Sequence, residues 1–295
     1  MSPRRATIAR AVTVEGVGLH LGHACRLTCR PAPAGTGRVF VRTDRPGRPR
    51  LPALAAYAVL AERRTQVGQG EDALHTVEHV LAAAAALDLD DLELELDAPE
   101  PPVLDGSSRG FFDALREAGR VEHAAPAPEL RLRASVRVED GGSVYEAHPA
   151  DELELEVGID FPHPMVGRQR IALHVTPASF DRELASARTF GFVHEITALQ
   201  ANGLIRGGST DNAVVLGPQG VIGNTLRWPD EFVRHKALDC VGDLALLGGR
   251  VRARVVAERP SHSGTLLLVR RMLAHAADGA HITTLERTCT ASKTS

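Results

Sequence analysis

The stretch EDALHTVEHVLAAAAAL, residues 71–87, combines a helical pattern with two histidines that are four residues apart. Its apolar side chains recur at spacings of three and four, which predicts an amphipathic helix: Leu74, Val77, Val80, Leu81 and Ala84. Glu71 or Asp72 supplies the negative charge that favours a helix N-terminus. LELELD, residues 92–97, then alternates as a half-buried strand does. The stretch and the residues after it thus predict a helix followed by a half-buried strand.

A change of composition divides the chain. Residues 123–129, HAAPAPE, interrupt the periodic patterns with proline and alanine, which is typical of a linker. We therefore predict two domains, residues 1–124 and residues 129–282, and a polar, disordered tail at residues 283–295. Within the first domain, SSRGFFDALREAG predicts a second helix that ends at Gly119.

The order of elements partly repeats after the linker, which is compatible with two duplicated α+β domains, although residue identity between the halves is too low to establish a repeat. Strands and a final helix are predicted at residues 130–138, 143–149, 152–160 and 180–187. Two irregular or glycine-rich segments, at about residues 35–70 and about residues 191–224, are interpreted as insertions, one in each domain. The second insertion reads as a small βαβ-like unit. Insertions of this kind often carry binding residues.

Bulk composition excludes several classes of function. The chain has 34 basic and 37 acidic residues, so no global field would gather nucleic acid or acidic lipid. No apolar run approaches the roughly 20 residues that cross a bilayer, so any membrane contact is expected to be peripheral. No cysteines form a Cys-x-x-Cys pair, and the first 30 residues lack the apolar core of a signal peptide. These features favour a cytoplasmic protein.

A longer helix is predicted in the second domain, in DEFVRHKALDCVGDLALLGG, residues 230–249. At about 100° per residue, Asp239 lies about 40° from His235, Asp243 about 80° and Lys236 about 100°, while apolar side chains fill most of the remaining surface. His235 and Asp239 are one turn apart, which lets both reach one cation. Asp243 could orient a ligand or a catalytic histidine. The alternative is a surface helix with a solvated ladder of charges.

The HTVEH motif leaves three interpretations open. His-x-x-Glu-His is the signature of inverted zinc peptidases, in which both histidines bind the metal. Alternatively, His79 alone joins His235 and Asp239, which leaves a fourth zinc position open for water, with Glu78 as the base. In the third interpretation, His75 is solvated and His79 is merely packed.

Several longer motifs, taken in order, resemble the zinc-dependent UDP-3-O-acyl-N-acetylglucosamine deacetylases, which catalyse the committed step of lipid A biosynthesis. The resemblance spans nearly the full length of the chain. It is carried by GVGLH (16–20), RPAPAGTG (30–37), TVEH (76–79), APEPPVLDGSS (98–108), ARTFGF (187–192), RGGSTDNAVV (206–215) and DEFVRHKALDCVGDL (230–244). The implied fold is two α+β halves with the helices between the sheets. The implied substrate is an acylated UDP-N-acetylglucosamine.

The resemblance also implies a role for individual residues. The Zn²⁺ ligands would be His79, His235 and Asp239, and Glu78 would activate water. The catalytic histidine would be His262, oriented by Asp243, with Thr189 and Lys236 stabilising the developing negative charge. Substrate would contact Phe161 beside the uridine, Phe190 in the substrate wall, Gly208 in an acyl tunnel and Arg259 at the diphosphate.

The chain departs from the family pattern next to His262. Ser261 replaces the usual glycine and Arg259 replaces a lysine. Arginine keeps the cation and can hold a diphosphate through two hydrogen bonds. Serine is expected to strain the turn if that turn requires a positive φ. Two alternatives to the deacetylase are an inverted-motif peptidase, which would need His75 for metal binding, and a non-catalytic nucleotide-sugar binding protein.

Overall fold

The computed structural model describes residues 3–61 and 63–276. The polar tail at 283–295, including Cys289, lies outside the described residues. No helix within the described ranges is long and apolar enough to cross a membrane.

The first half is built on a five-stranded sheet. Its spatial order is β2 (Val12–Val17), β3 (Ala24–Pro31), β9 (Leu92–Leu96), β4 (Arg38–Arg42) and β5 (Arg50–Pro52). The LELEL pattern explains the central place of β9, because its three leucines are buried while its two glutamates form ion pairs with arginines. Glu95 pairs with Arg30 of β3 and with Arg48 between β4 and β5, and Glu93 pairs with Arg50 of β5. The strand predicted from this alternation is confirmed.

The second half repeats this topology. Its order is β12 (Val136–Asp140), β13 (Ser143–Pro149), β19 (Arg250–Glu258), β14 (Glu154–Phe161) and β15 (Gly167–His174), and β11 (Glu129–Arg131) also pairs with β19. In each sheet the strand that comes last in the sequence, β9 or β19, lies in the middle. It is antiparallel to one neighbour and parallel to the other. The predicted α+β class is confirmed, and the matching strand order supports the predicted duplication.

The helices lie between the two sheets. They are α1 (Glu78–Ala86), α2 (Arg109–Glu117), α3 (Pro177–Ser179), which continues as a π-helical turn (Phe180–Leu184), α5 (Glu231–Leu244) and α6 (His262–Ala274). Helix α5 packs on β14 and β15 of the second sheet and on α1, whereas α2 packs on β2 and on α1. The contact between α1 and α5 joins the two halves. Gly242 permits it, because an added Cβ would lie 2.1 Å from the carbonyl oxygen of Glu78.

Each half carries a small additional sheet. In the first half it comprises β6 (Ala58–Val59), β7 (Gln66–Val67) and β8 (Leu74–His75). In the second half it comprises β16 (Phe190–Phe192), β17 (Val214–Gly217) and β18 (Gly220–Ile222), with α4 (Val193–Ala201) connecting the parallel pair β16 and β17. This βαβ unit overlaps the segment interpreted as the second insertion, residues 191–224. The start of the first insertion at residue 35 is wrong, because β4 and β5 belong to the main sheet.

Two local predictions also need correction. Helix α1 begins at Glu78 rather than near Leu74, because Leu74 and His75 form β8 and Thr76 has a φ of 55°, which is incompatible with a continuous helix. The expected linker is extended rather than irregular at its start: β10 (Arg120–Pro126) pairs with β1 (Arg4–Ile8). The position of the domain boundary stays a prediction.

Candidate metal centre and catalytic cluster

Helices α1 and α5 bring three potential metal ligands together. Atoms of His79, His235 and Asp239 lie within 4.8 Å of one another, and all three residues are buried. The Oδ1 atom of Asp239 lies 3.3 Å from Nε2 of His235 and 3.6 Å from Nε2 of His79. Two imidazoles and one carboxylate form the kind of ligand set that catalytic zinc sites use.

The protonation states suit metal binding. Burial lowers the pKa of His235 to about 4, so its imidazole is neutral near pH 7 and can act as a ligand. Burial disfavours the Asp239 carboxylate, but its interactions with His235 and Lys236 outweigh this and hold the pKa of Asp239 well below its ordinary value. The Oδ1 atom of Asp239 is buried and lacks a hydrogen-bond partner within the described residues. A cation shared with the two imidazoles would satisfy it.

Neighbouring groups orient two members of this trio. The Nδ1 atom of His235 lies 3.1 Å from the carbonyl oxygen of Ala187, so an Nδ1–H donor there leaves the Nε2 lone pair directed towards Asp239. Lys236 donates a hydrogen bond of 2.9 Å from Nζ to Oδ2 of Asp239. Two of the three potential ligands, His235 and Asp239, are thus oriented by neighbouring groups.

A second cluster lies beside the trio. The Nδ1 atom of His262 is 3.0 Å from Oδ2 of Asp243, and its Nε2 atom is 3.8 Å from Oε1 of Glu78. Burial opposes protonation of His262, but the carboxylates of Asp243 and Glu78 outweigh burial and raise the pKa of His262 to about 9. Burial also raises the pKa of Glu78. The pair offers a protonated imidazole next to a carboxylate that binds a proton more readily than usual.

Ser261, in the turn before His262, is free of the strain expected for it. Ser261 is extended, with a φ of −126°, and its hydroxyl caps α6 by accepting a hydrogen bond of 3.1 Å from the Gly264 N–H. The positive φ of 52° falls instead on Arg259. Because Ser261 acts as an N-cap, the replacement of glycine is compatible with the placement of His262, which is the first residue of α6 and is largely buried.

A cavity of about 170 Å³ opens onto both clusters. The metal trio, Glu78 and His262 line one part, together with Thr189, Lys236, Phe161 and Phe190. The second insertion lines another part with Ile196, Leu199 and Ile205. Gly208 is not among the residues lining this cavity, but it packs against Ile205. Arg259 lines an adjacent cavity of about 220 Å³ that also includes Phe161 and Lys236.

His75 is separate from the metal trio. It lies in β8, where its Nδ1 atom accepts a hydrogen bond of 3.2 Å from Arg64. Across residues 3–61 and 63–276, the cluster capable of holding a metal includes His79 and omits His75. The inverted-peptidase interpretation, which requires both histidines, is therefore not supported by the geometry.

Sequence reasoning missed two features of the site. The buried Arg188 and Glu231 form an ion pair of 2.8 Å that holds the start of ARTFGF against α5. Thr65, in the first insertion, contacts both Glu78 and Asp243. The helical pattern of α5 could have suggested Glu231, since it is an acid at a helix N-terminus, but no motif points to Thr65.

Comparison with known proteins gives a consistent family. The family model described as LpxC, UDP-3-O-acyl N-acetylglycosamine deacetylase, matches residues 5–274. A UDP-3-O-acyl-N-acetylglucosamine deacetylase of Bdellovibrio bacteriovorus is 42% identical over 267 residues, which cover 90% of this chain and 88% of the relative. Proteins of the same name from a Nostoc species and from Myxococcus xanthus are 41% and 40% identical, and each match covers 92% of this chain and 99% or 87% of the relative.

Proposed function

The chain belongs to the family of UDP-3-O-acyl-N-acetylglucosamine deacetylases, and on this basis we propose the reaction that it catalyses. It hydrolyses the N-acetyl amide of a UDP-3-O-(hydroxyacyl)-N-acetylglucosamine to acetate and the free amine, the committed step of lipid A biosynthesis. The observation that carries this proposal is the convergence of His79, His235 and Asp239 beside Glu78 at one cavity. A non-catalytic binding protein would not require this arrangement of a base next to a ligand set.

The metal we propose is Zn²⁺. The set of two nitrogen donors and one carboxylate oxygen fits zinc, and the unpartnered Oδ1 of Asp239 supports a cation at this position. When bound, zinc supplies a Lewis acid that polarises a carbonyl oxygen and lowers the pKa of coordinated water towards about 7.

The surrounding residues would manage the protons and the charge. Glu78 accepts the proton of the attacking water, since its pKa is raised by burial. His262, held by Asp243 and protonated near neutral pH, donates a proton to the leaving nitrogen. Thr189 and Lys236, which both line the cavity, stabilise the negative charge that develops on the acetyl oxygen.

The rest of the cavity suits a substrate with an apolar and an anionic part. The apolar residues of the second insertion would contact the acyl chain, and each buried methylene would contribute about 0.8 kcal/mol. Phe161 separates this part from the adjacent cavity that contains Arg259, where a diphosphate could be held. Gly208 would shape the acyl site through Ile205. Phe190 packs edge-to-face against Phe161 and forms part of the wall.

We also assign the protein to the cytoplasm. Cys25, Cys29 and Cys240 are buried free thiols, a form that a reducing compartment preserves. Any association with the membrane would be peripheral.

Acetate release from the acylated UDP-sugar tests the proposed function. The purified protein is expected to release acetate, to lose this activity on chelation and to recover it with added Zn²⁺. Glu78→Gln should retain the metal but lose about 100-fold or more in kcat, since a general base contributes roughly that much. A protein that binds the nucleotide sugar but releases no acetate at any metal concentration would exclude the deacetylase.

A further inference from the structure

Thr65 contacts Glu78 and the Asp243–His262 pair, although it lies outside the helices that carry these residues. It directly precedes β7 in the first insertion and is only 5% exposed. Its backbone N–H donates a hydrogen bond of 3.0 Å to Oε2 of Glu78. Its hydroxyl donates to Oδ1 of Asp243, and the same oxygen lies 3.2 Å from Nδ1 of His262.

We propose that Thr65 is a positioning residue for the deacetylation: its N–H orients the base Glu78, and its hydroxyl orients the Asp243–His262 pair. This inference rests on the proposed function. It extends that function because it gives the first insertion a part in the chemical step, in addition to any contact with substrate.

The contact with Glu78 fixes which carboxylate oxygen is available to react. Oε2 is held by a backbone donor, whose direction is set by the main chain rather than by a rotatable side chain. Oε1 is the oxygen that faces His262, across a gap of 3.8 Å that exceeds hydrogen-bond length. A base whose carboxylate rotated freely would spend less time in the orientation that accepts a proton from water.

The hydroxyl contact fixes the imidazole of His262. The two oxygens of Asp243 have separate donors, with Thr65 on Oδ1 and His262 Nδ1–H on Oδ2. A carboxylate held on both oxygens cannot rotate, so the ring plane of His262 and the proton on Nδ1 are fixed as well. Nε2 is then the nitrogen that exchanges a proton with the reacting groups.

Two substitutions at Thr65 separate the hydroxyl from the shape of the side chain. Thr65→Val removes the hydroxyl but keeps the branched shape and the backbone N–H, whereas Thr65→Ser keeps both donors and removes only a methyl group. A purely structural role of the branched side chain would make the serine variant the more damaged of the two. A positioning role of the hydroxyl predicts the opposite order.

The experiment measures kcat and KM for acetate release, zinc content and Tm of the zinc-loaded wild type and both variants. Thr65→Val is expected to lower kcat about 10-fold to 100-fold, part of the contribution of a general acid, with KM and zinc content within about twofold of wild type. Thr65→Ser should stay within about threefold of wild type in kcat. Equal kcat in Thr65→Val and wild type, or loss of zinc from Thr65→Val, would overturn the proposal.

A double-mutant cycle with His262 tests whether Thr65→Val lowers kcat through the orientation of His262. In a His262→Ala background, Thr65→Val should lower kcat by less than about twofold, because the residue it orients is already missing. An undiminished effect in that background would contradict the proposal. If Thr65→Val does not fold, Thr65→Ala is judged by the same criteria. Failure of the wild type to release acetate would instead refute the proposed function.

Discussion

Replacing Gly242 by alanine would test whether the contact between α1 and α5 sets the geometry of the site. A Cβ at this position would lie 2.1 Å from the carbonyl oxygen, 2.7 Å from the carbonyl carbon and 2.9 Å from Cα of Glu78. All three are backbone atoms, so no side-chain rotation can relieve the overlap. Ordinary contacts begin at 3.4 Å, so the backbones must separate by about 1 Å.

The expected consequence is a loss of activity that is larger than the loss of stability. Overpacking costs about 1–3 kcal/mol, but alanine in a helix interior regains about 1 kcal/mol over glycine, so the free energy of unfolding should fall by no more than about 2 kcal/mol. A displacement of about 1 Å at reacting groups costs on the order of 100-fold in rate. Because Glu78 and His79 would move relative to His235, kcat/KM should fall by about that factor.

Steady-state acetate release and urea unfolding measure the two effects. Gly110→Ala is the matched control, since Gly110 is also helical but an added Cβ would meet only the end of the Leu104 side chain, which can move. The control should keep near-normal activity. The reasoning is refuted if Gly242→Ala retains kcat/KM within about threefold of wild type, because the close approach would then not position the base.

Three further predictions concern other parts of the molecule. His75→Ala should retain full zinc content, measured by atomic absorption, because His75 is separate from the metal trio. Glu231→Gln should lower the free energy of unfolding, measured with urea, by about 3 kcal/mol, because it leaves the Arg188 guanidinium buried without its countercharge. The pKa of His20 is lowered to about 3, first by burial and then by nearby positive side chains. Below about pH 6.5 the unfolded chain therefore binds a proton that the folded chain does not. The free energy of unfolding decreases as the pH is lowered from about 6.5 to about 3. In the metal-free protein, His20→Gln should reduce this dependence by up to about 1.4 kcal/mol per pH unit.

Each of these predictions has a contrary result. Loss of zinc from His75→Ala would restore the inverted-peptidase interpretation. A change in unfolding free energy below about 1 kcal/mol for Glu231→Gln would mean that its ion pair behaves like one on the surface. An unchanged pH dependence in His20→Gln would show that this histidine titrates alike in the folded and unfolded states.

The periodic segments of the sequence predicted their structures well. The polar stripe of α5 was apparent because His235, Asp239 and Asp243 recur one turn apart among apolar residues, and the helix brings all three to the catalytic region. The alternation in β9 and β14 likewise predicted half-buried strands. In both cases the pattern arises from burial on one face, which local sequence records directly.

The errors fall where a single backbone angle or a distant partner decides the structure. Thr76 adopts a positive φ that no periodicity reveals, so the helix was predicted to start too early. Strand β4 was assigned to an insertion because its buried position depends on pairing with β9, which lies far along the chain. No sequence pattern identifies Thr65, because half of its proposed role uses a backbone N–H, which every residue except proline possesses.

The placement of β19 and α5 late in the chain bears on how the protein is synthesised. On the ribosome, Glu78 and His79 emerge when more than half of the chain, including His235, has yet to be translated. The second sheet lacks its central strand until β19, which lies between β13 and β14, has been synthesised. Translation that stalls before residue 235 thus produces a polypeptide without two of the three potential metal ligands, and translation that stalls before residue 250 produces one without the central strand of the second sheet.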